Sequence, residues 1–198
     1  MKICLVYSQR LGDIIRILPI ARHFADRGHD VRIECLPQYH DFFDCVSYCR
    51  PSTIDQRSAH RFMMVLDLEI WPNRYDEYIQ SGQTWLDFVY GANAELAGIN
   101  RKPVFDRIDE MPSLADYGLP ADVAIFSPFG YSQRNRYPLQ TLAEQARKRI
   151  GGAFVTLADS GHAEALLRAG IAKESILTAR RSSHLPRLLR DARAVFTI

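Results

Sequence analysis

The sequence predicts a parallel α/β fold in two halves. Apolar runs of strand length alternate with longer amphipathic stretches from one end to the other, as they do where strands are covered by helices. The alternation fails once, over residues 98–120, where "GINRKPVFDRIDEMPSLADYGLP" holds three prolines, two glycines and scattered charge. With 198 residues, 47% of them hydrophobic and 24% charged, the chain can bury one good core or two small ones. The expected division is therefore a first domain over 1–97, a linker over 98–120 and a second domain over 121–198.

The first strand is read at residues 3–7. The helix after it spans residues 14–27, with Ile14, Ile15, Leu18, Ala21, Phe24 and Ala25 on one face and Gly28 as its stop. Pro19 lies inside that pattern, where a missing N–H costs about 3 kcal/mol unless the helix starts near it. "DVRIECLP" is the second strand, residues 39–45 a short helix, and Ser47 and Tyr48 mark a weak third strand. "FMMVLDLE" is a strong strand stopped by Pro72, and a helix over 75–96 carries Tyr78, Trp85, Phe88 and Val89. The second half begins at "DVAIFSPFG". Helices at 139–150, 162–169 and 185–192 then alternate with the strands "AFVTLAD", "SILTA" and "AVFTI". The last of these reads as a buried strand with no helix after it, so the second domain is expected to be cut short.

Charge and cysteine use narrow the function classes. The 25 basic residues nearly balance the 23 acidic ones, for a net +2, so no global field argues for nucleic acid or a membrane surface. The last third is locally basic, with Arg134, Arg136, Arg147, Lys148, Arg149, Arg180, Arg181, Arg187, Arg190 and Arg193, which suits a small polyanionic ligand better than a polymer. The N-terminal apolar run is too short for a signal peptide, and no run approaches the roughly 18 apolar residues of a bilayer span. A cytoplasmic protein without an integral membrane segment is expected. Cys4 and Cys35 fall in strands and read as small core residues, whereas His40, Cys45 and Cys49 match no common zinc spacing.

Three constellations could carry chemistry. In "YSQRLGDIIRILP", Gly12 and Asp13 stand at the carboxyl end of the first strand, the usual ligand edge of an open α/β sheet. One glycine satisfies neither a dinucleotide fingerprint nor a P-loop. Asp13 is then either a helix cap worth about 1 kcal/mol or a functional carboxylate. In "SPFGYSQRNRYP", arginines and a helix start suit a phosphate, although an exposed basic loop has the same composition. In "LADSGHAEALL", Glu164 could reach a ribose hydroxyl.

These motifs, in this order, resemble the heptosyltransferase-like glycosyltransferases of family nine. "LGDIIRILPIARHFADRGHDVRI" is similar to that family's opening strand, "GD" turn and proline-containing helix, "RNRYP" to its "KRWP" element, and "SSHLPRLLRDARAVFTI" to its "L-x-E-L-A-A-L-I-x-x-A" helix and next strand. The resemblance spans nearly the whole chain. It implies a glycosyltransferase-B type fold of two Rossmann-like domains with parallel sheets, the first binding a glycan or glycolipid acceptor of lipopolysaccharide type and the second a nucleotide-diphosphate sugar. No metal or cofactor is implied, and peripheral membrane association is compatible with such an acceptor. The family's catalytic base falls on Asp13, with Arg10 and Gly12 beside it on the substrate side. Its phosphate site falls on the "KRWP" positions, where Arg136 matches the arginine, Tyr137 the tryptophan and Asn135 departs from the lysine; with Gly130, Tyr131, Arg134 and Glu164 these make the expected nucleotide-sugar-binding set. The family's next segment, "D-T/S-G-x-x-H", would follow Ile198, so the resemblance implies a fragment of a longer enzyme. The alternatives are a non-catalytic nucleotide- or sugar-binding remnant and a nucleotide-sugar epimerase of the same architecture.

Overall fold

The computed structural model describes residues 1–7, 10–53, 61–91, 93–128 and 138–197. The chain forms two units, Met1–Arg107 and Ile108–Ile198. The unpatterned stretch 98–120 divides between them. Val104 accepts a hydrogen bond from the Tyr48 hydroxyl at 2.6 Å, and Asp106 accepts one from the Ser47 amide at 2.8 Å, within the first unit. Leu114 lies in the core of the second.

In the first unit β1 (Lys2–Val6), β2 (Asp30–Cys35), β3 (Arg50–Thr53) and β4 (Met64–Asp67) form an all-parallel sheet in the order β3-β2-β1-β4. β1 sits between β2 and β4, with Ile3 in register with both Val31 and Met64. Its central position explains its sequence, since Ile3, Cys4 and Leu5 are all buried. The third strand begins at Arg50, not at Ser47 and Tyr48, which lie in a bend after the 3₁₀ stretch Pro37–Cys45. Apolar content pointed to the wrong residues there, because β3 is an edge strand whose own residues are only partly buried or exposed.

Helix α1 (Leu11–Ala25) starts earlier than its apolar pattern indicates. Arg10 is the N-cap residue, with extended backbone, and the Ile14 amide closes the first turn on the Arg10 carbonyl at 3.0 Å. Gly12 and Asp13 are thus inside the helix and Asp13 is not its cap. Pro19 sits in mid-helix, leaving the Ile15 carbonyl without its usual donor. Packing outweighs that loss: Ile14, Ile17, Leu18, Pro19, Ile20, Ala21 and Phe24 are buried, at about 1.5–3 kcal/mol for each large side chain. The buried surface is broader than one face, and Ile15 and Ala25 lie only partly within it.

The helix expected over 75–96 is broken into α2 (Tyr75–Ser81), α3 (Trp85–Gly91) and the 3₁₀ turn Ala94–Leu96. Gly82 ends α2 in the left-handed region, at φ 63°. Thr84 then starts α3: its hydroxyl accepts from the Asp87 amide at 3.2 Å and donates to the Asp87 carboxylate at 2.6 Å. Among the described residues four cysteines are free and buried, and no three of His, Cys, Asp and Glu are grouped to hold a metal ion.

The second unit repeats the strand order. β5 (Ala124–Ser127), β6 (Phe154–Ala158), β7 (Ile176–Thr178) and β8 (Ala194–Thr197) run parallel as β7-β6-β5-β8. Helices α4 (Leu139–Ile150), α5 (Ser160–Arg168) and α6 (Leu185–Asp191) connect them. Leu114, Val123, Ile125, Val155, Leu177 and Leu188 make the core. β8 is not the fully buried strand its apolar run suggests. Among the described strands it pairs with β5 alone, and Val195 is 40% exposed.

Candidate active site

The strand order of each unit creates a place for a ligand. From β1 the chain winds to β2 and β3 on one side and then crosses to β4 on the other, so the connections diverge between β1 and β4. Ligands in open α/β sheets bind outside the carboxyl ends of the strands at such a point. In the second unit the equivalent position lies between β5 and β8.

At the first of these points Tyr7 follows β1 directly and is 8% exposed. Its hydroxyl donates to the Asp13 carboxylate at 3.1 Å from the first turn of α1. The Arg16 guanidinium lies 3.6 Å from the other Asp13 oxygen, one turn along the same helix, and 5.5 Å from the centre of the Trp85 ring. Trp85, the first residue of α3, packs edge-on against Tyr7 with ring centres 5.6 Å apart. The Tyr90 hydroxyl donates to the Arg16 carbonyl at 2.9 Å and so ties α3 to α1. Asp13 is therefore held by a phenol and a guanidinium while 16% of its side chain stays open to solvent.

Burial, and after it the negative charge of Asp13, push the Tyr7 phenol well above its ordinary range. Tyr7 consequently keeps its proton and acts as a donor. The carboxylate it supports is oriented and accessible, which is what a proton acceptor requires. Asp13 also lies where the helix dipole favours a negative charge.

The remaining expected residues are placed less evenly. Arg10 is exposed at the N-cap, its carbonyl accepting from the Asp13 and Ile14 amides. Gly12 is exposed, and an added Cβ would meet nothing within 4 Å among the described residues, so packing of the unit does not require glycine there. Glu164 is exposed on α5, while Asp159 caps that helix by accepting from the His162 amide at 2.7 Å. Gly130, Tyr131, Arg134, Asn135, Arg136 and Tyr137 lie outside the described residues. The strand before them, β5, ends beside the diverging point of its sheet.

Much of the basic character of the last third serves the fold instead of a ligand. Arg187 and Arg190 pair with Asp109 at 2.7 and 2.9 Å, and both also contact Asp191. Arg193 donates to the Asp122 and Gly151 carbonyls at 3.0 and 2.6 Å. Arg180 covers the Tyr117 ring at 4.7 Å, and Arg147 lies 5.7 Å from the centre of the Phe154 ring. Residue composition could not separate these braces from ligand contacts. Sequence reasoning also passed over Tyr7 and Arg16 as partners of Asp13. The only local signal for the support of this site was the Thr84-x-x-Asp87 helix start that sets Trp85 in place.

No protein-family model and no curated protein matches the sequence. Solved structures do match the fold. The heptosyltransferase WaaC of E. coli, solved with ADP and also with ADP-2-deoxy-2-fluoro heptose, superposes with a TM-score of 0.64 at 11% identity in the ADP form, over 100% of this chain and 80% of WaaC. A family 9 glycosyl transferase from Veillonella parvula gives 0.65 at 12% identity, over 99% of this chain and 74% of that one. The E. coli ADP-heptose lps heptosyltransferase II gives 0.60 at 12% identity, over 100% and 78%. No helix among the described residues is long and apolar enough to cross a membrane. With two parallel α/β units that share one strand order, this chain has the glycosyltransferase-B type fold of the family 9 heptosyltransferases.

Proposed function

We propose that the protein transfers a glycosyl group from a nucleotide-diphosphate sugar to a hydroxyl of a glycan acceptor, with inversion and with Asp13 as general base. The observation that carries this reading is the Asp13 carboxylate, held by Tyr7 and Arg16 at the carboxyl edge of the first sheet and still open to solvent. In the reaction Asp13 accepts the acceptor's hydroxyl proton as that oxygen bonds to the anomeric carbon. The bond from that carbon to the diphosphate oxygen breaks, and its electron pair leaves with the diphosphate. Among the described residues nothing lies within 4 Å of a Cβ added at Gly12, which suits an acceptor approaching there, and Arg10 flanks it in sequence.

The donor is assigned to the second unit, to Gly130, Tyr131, Arg134, Asn135, Arg136 and Glu164. This assignment draws on the family resemblance and on the binding of ADP and an ADP-sugar analogue by WaaC. Arginine forks suit the diphosphate, and no cofactor or metal takes part. An acceptor of lipopolysaccharide type is the substrate class favoured by the same neighbours.

The test is calorimetric titration with nucleoside diphosphates, followed by a transfer assay with the matching nucleotide sugars, for the wild type and for Asp13→Asn. The expected result is unchanged diphosphate affinity and lost transfer in the variant. Equal turnover in the two proteins would overturn the base assignment.

A further inference from the structure

Two groups of aromatic rings meet on α3, one at the candidate base and one that leads outward from it. Trp85 packs against Tyr7, and one turn further along α3 the ring of Phe88 meets that of Tyr78 with centres 5.5 Å apart. Tyr78 lies 6.5 Å from Tyr75, and Tyr75 packs edge-on against Trp71 at 5.0 Å. The inner end of the run is buried and the outer end is open: Tyr7 is 8% exposed, Tyr75 40% and Trp71 58%. Helix α2 buries none of its own residues, and Ile79, one turn beyond Tyr75, is also exposed. Trp71 stands four residues after the end of β4, at the same carboxyl edge of the sheet as Tyr7. Grouped large apolar side chains held in water mark an interaction site.

We propose that Trp71 and Tyr75 form a stacking subsite for a neutral pyranose ring of the acceptor glycan, remote from the hydroxyl that reacts at Asp13. The identity of the ligand rests on the transferase reading above. A pyranose has an apolar C–H face and a rim of hydroxyls, so it needs an exposed aromatic ring beside hydrogen-bond acceptors. The patch supplies both, because Trp71 and Tyr75 adjoin the exposed carboxylates of Asp76 and Glu77 on α2. Charge selects among occupants. Helix α2 carries two acids and no basic residue, and the nearby Arg74 is engaged by Glu77 at 3.7 Å and by the Phe88 ring at 4.7 Å. An anionic lipid surface would be repelled there, whereas a neutral sugar is not. The ring contacts from Trp71 reach Phe88 on α3, the helix whose first residue Trp85 packs on Tyr7, and this shared helix links the subsite to the reacting one.

Trp71 and Trp85 are the only tryptophans in the chain, so Trp85→Phe isolates Trp71 emission. The probes are an array of neutral and anionic oligosaccharides from bacterial surface glycans, and vesicles of phosphatidylethanolamine and phosphatidylglycerol in equal parts. The wild type is expected to be retained by neutral oligosaccharides, which should shield Trp71 from acrylamide quenching in the Trp85→Phe background. Trp71→Ala and Tyr75→Ala should each weaken retention roughly tenfold. Both side chains are exposed, so the variants should keep the wild-type circular dichroism. Asp13→Asn should bind the array as the wild type does, which separates this subsite from the base assignment. Three results would overturn the proposal: no retention of the wild type, retention unaffected by the two substitutions, or a loss on Trp71→Ala confined to vesicle binding or to self-association.

Discussion

The two units are built on one strand order, yet they use charge in opposite ways. The first holds a carboxylate at the open edge of its sheet, supported by Tyr7, Arg16 and Trp85. The second has an excess of cations, and those described are largely turned to internal bracing through Asp109, Asp191 and the carbonyls of Asp122 and Gly151. A shared topology therefore provides two ligand edges without deciding what either presents. Local side-chain pairing decides whether a charge is available to a substrate or committed to the fold.

The largest effect expected is on the first unit. Asp13→Asn keeps the shape and removes the proposed base, so on that reading transfer should fall about 10²- to 10⁴-fold with nucleotide affinity preserved, as read from the single-turnover rate constant. The second unit is tested by Arg193→Ala, which removes donors from the exposed Asp122 and Gly151 carbonyls and should cost about 1 kcal/mol. Faster amide hydrogen exchange at Ala124 and Ala153 would register that loss, and the affinity for nucleoside diphosphates should not change. A weakened affinity would show that the cation serves a ligand and would erase the contrast between the units. Tyr90→Phe should cost about 1 kcal/mol by freeing α3 from the Arg16 carbonyl. The midpoint of the tryptophan-monitored denaturation measures it, because both tryptophans lie in the first unit.

The smallest effect is on acid stability. Burial opposes ionisation of Asp191, but hydrogen bonds from Arg187 and Arg190 outweigh it and hold the carboxyl below its ordinary 3.8. A lowered folded-state value stabilises fully above 3.8 and is lost as pH falls through the lower value. Arg187→Ala should accordingly flatten the acid limb of the second unit's stability, which hydrogen exchange across that range would detect.

How legible each part was follows from the range of the interactions. Strands such as "KICLV" and helices such as α4 and α6 stood out because burial writes its period locally. The break at Gly82 and Thr84 was also local, a left-handed glycine before a capping threonine, and only the aromatic pattern around it concealed it. The start of α1 was harder to read, since Leu11 and Gly12 have no helix-starting chemistry and the turn is closed by the Arg10 carbonyl. The candidate site followed the same rule. The candidate carboxylate Asp13 stood out through its motif, whereas its partners Tyr7 and Arg16 did not.

The sequence by itself determined the class of fold, the two-part organisation and the candidate carboxylate, because apolar periodicity, loss of pattern and a short motif are properties of neighbouring residues. Only the tertiary structure decided that Asp13 lies within α1, that Tyr7 and Arg16 converge on it with Trp85 packed against both, and that Arg187, Arg190 and Arg193 are braces. Each of those facts depends on where a side chain's partners lie, and the partners are brought together by packing of the sheets and helices, not by their order in the chain.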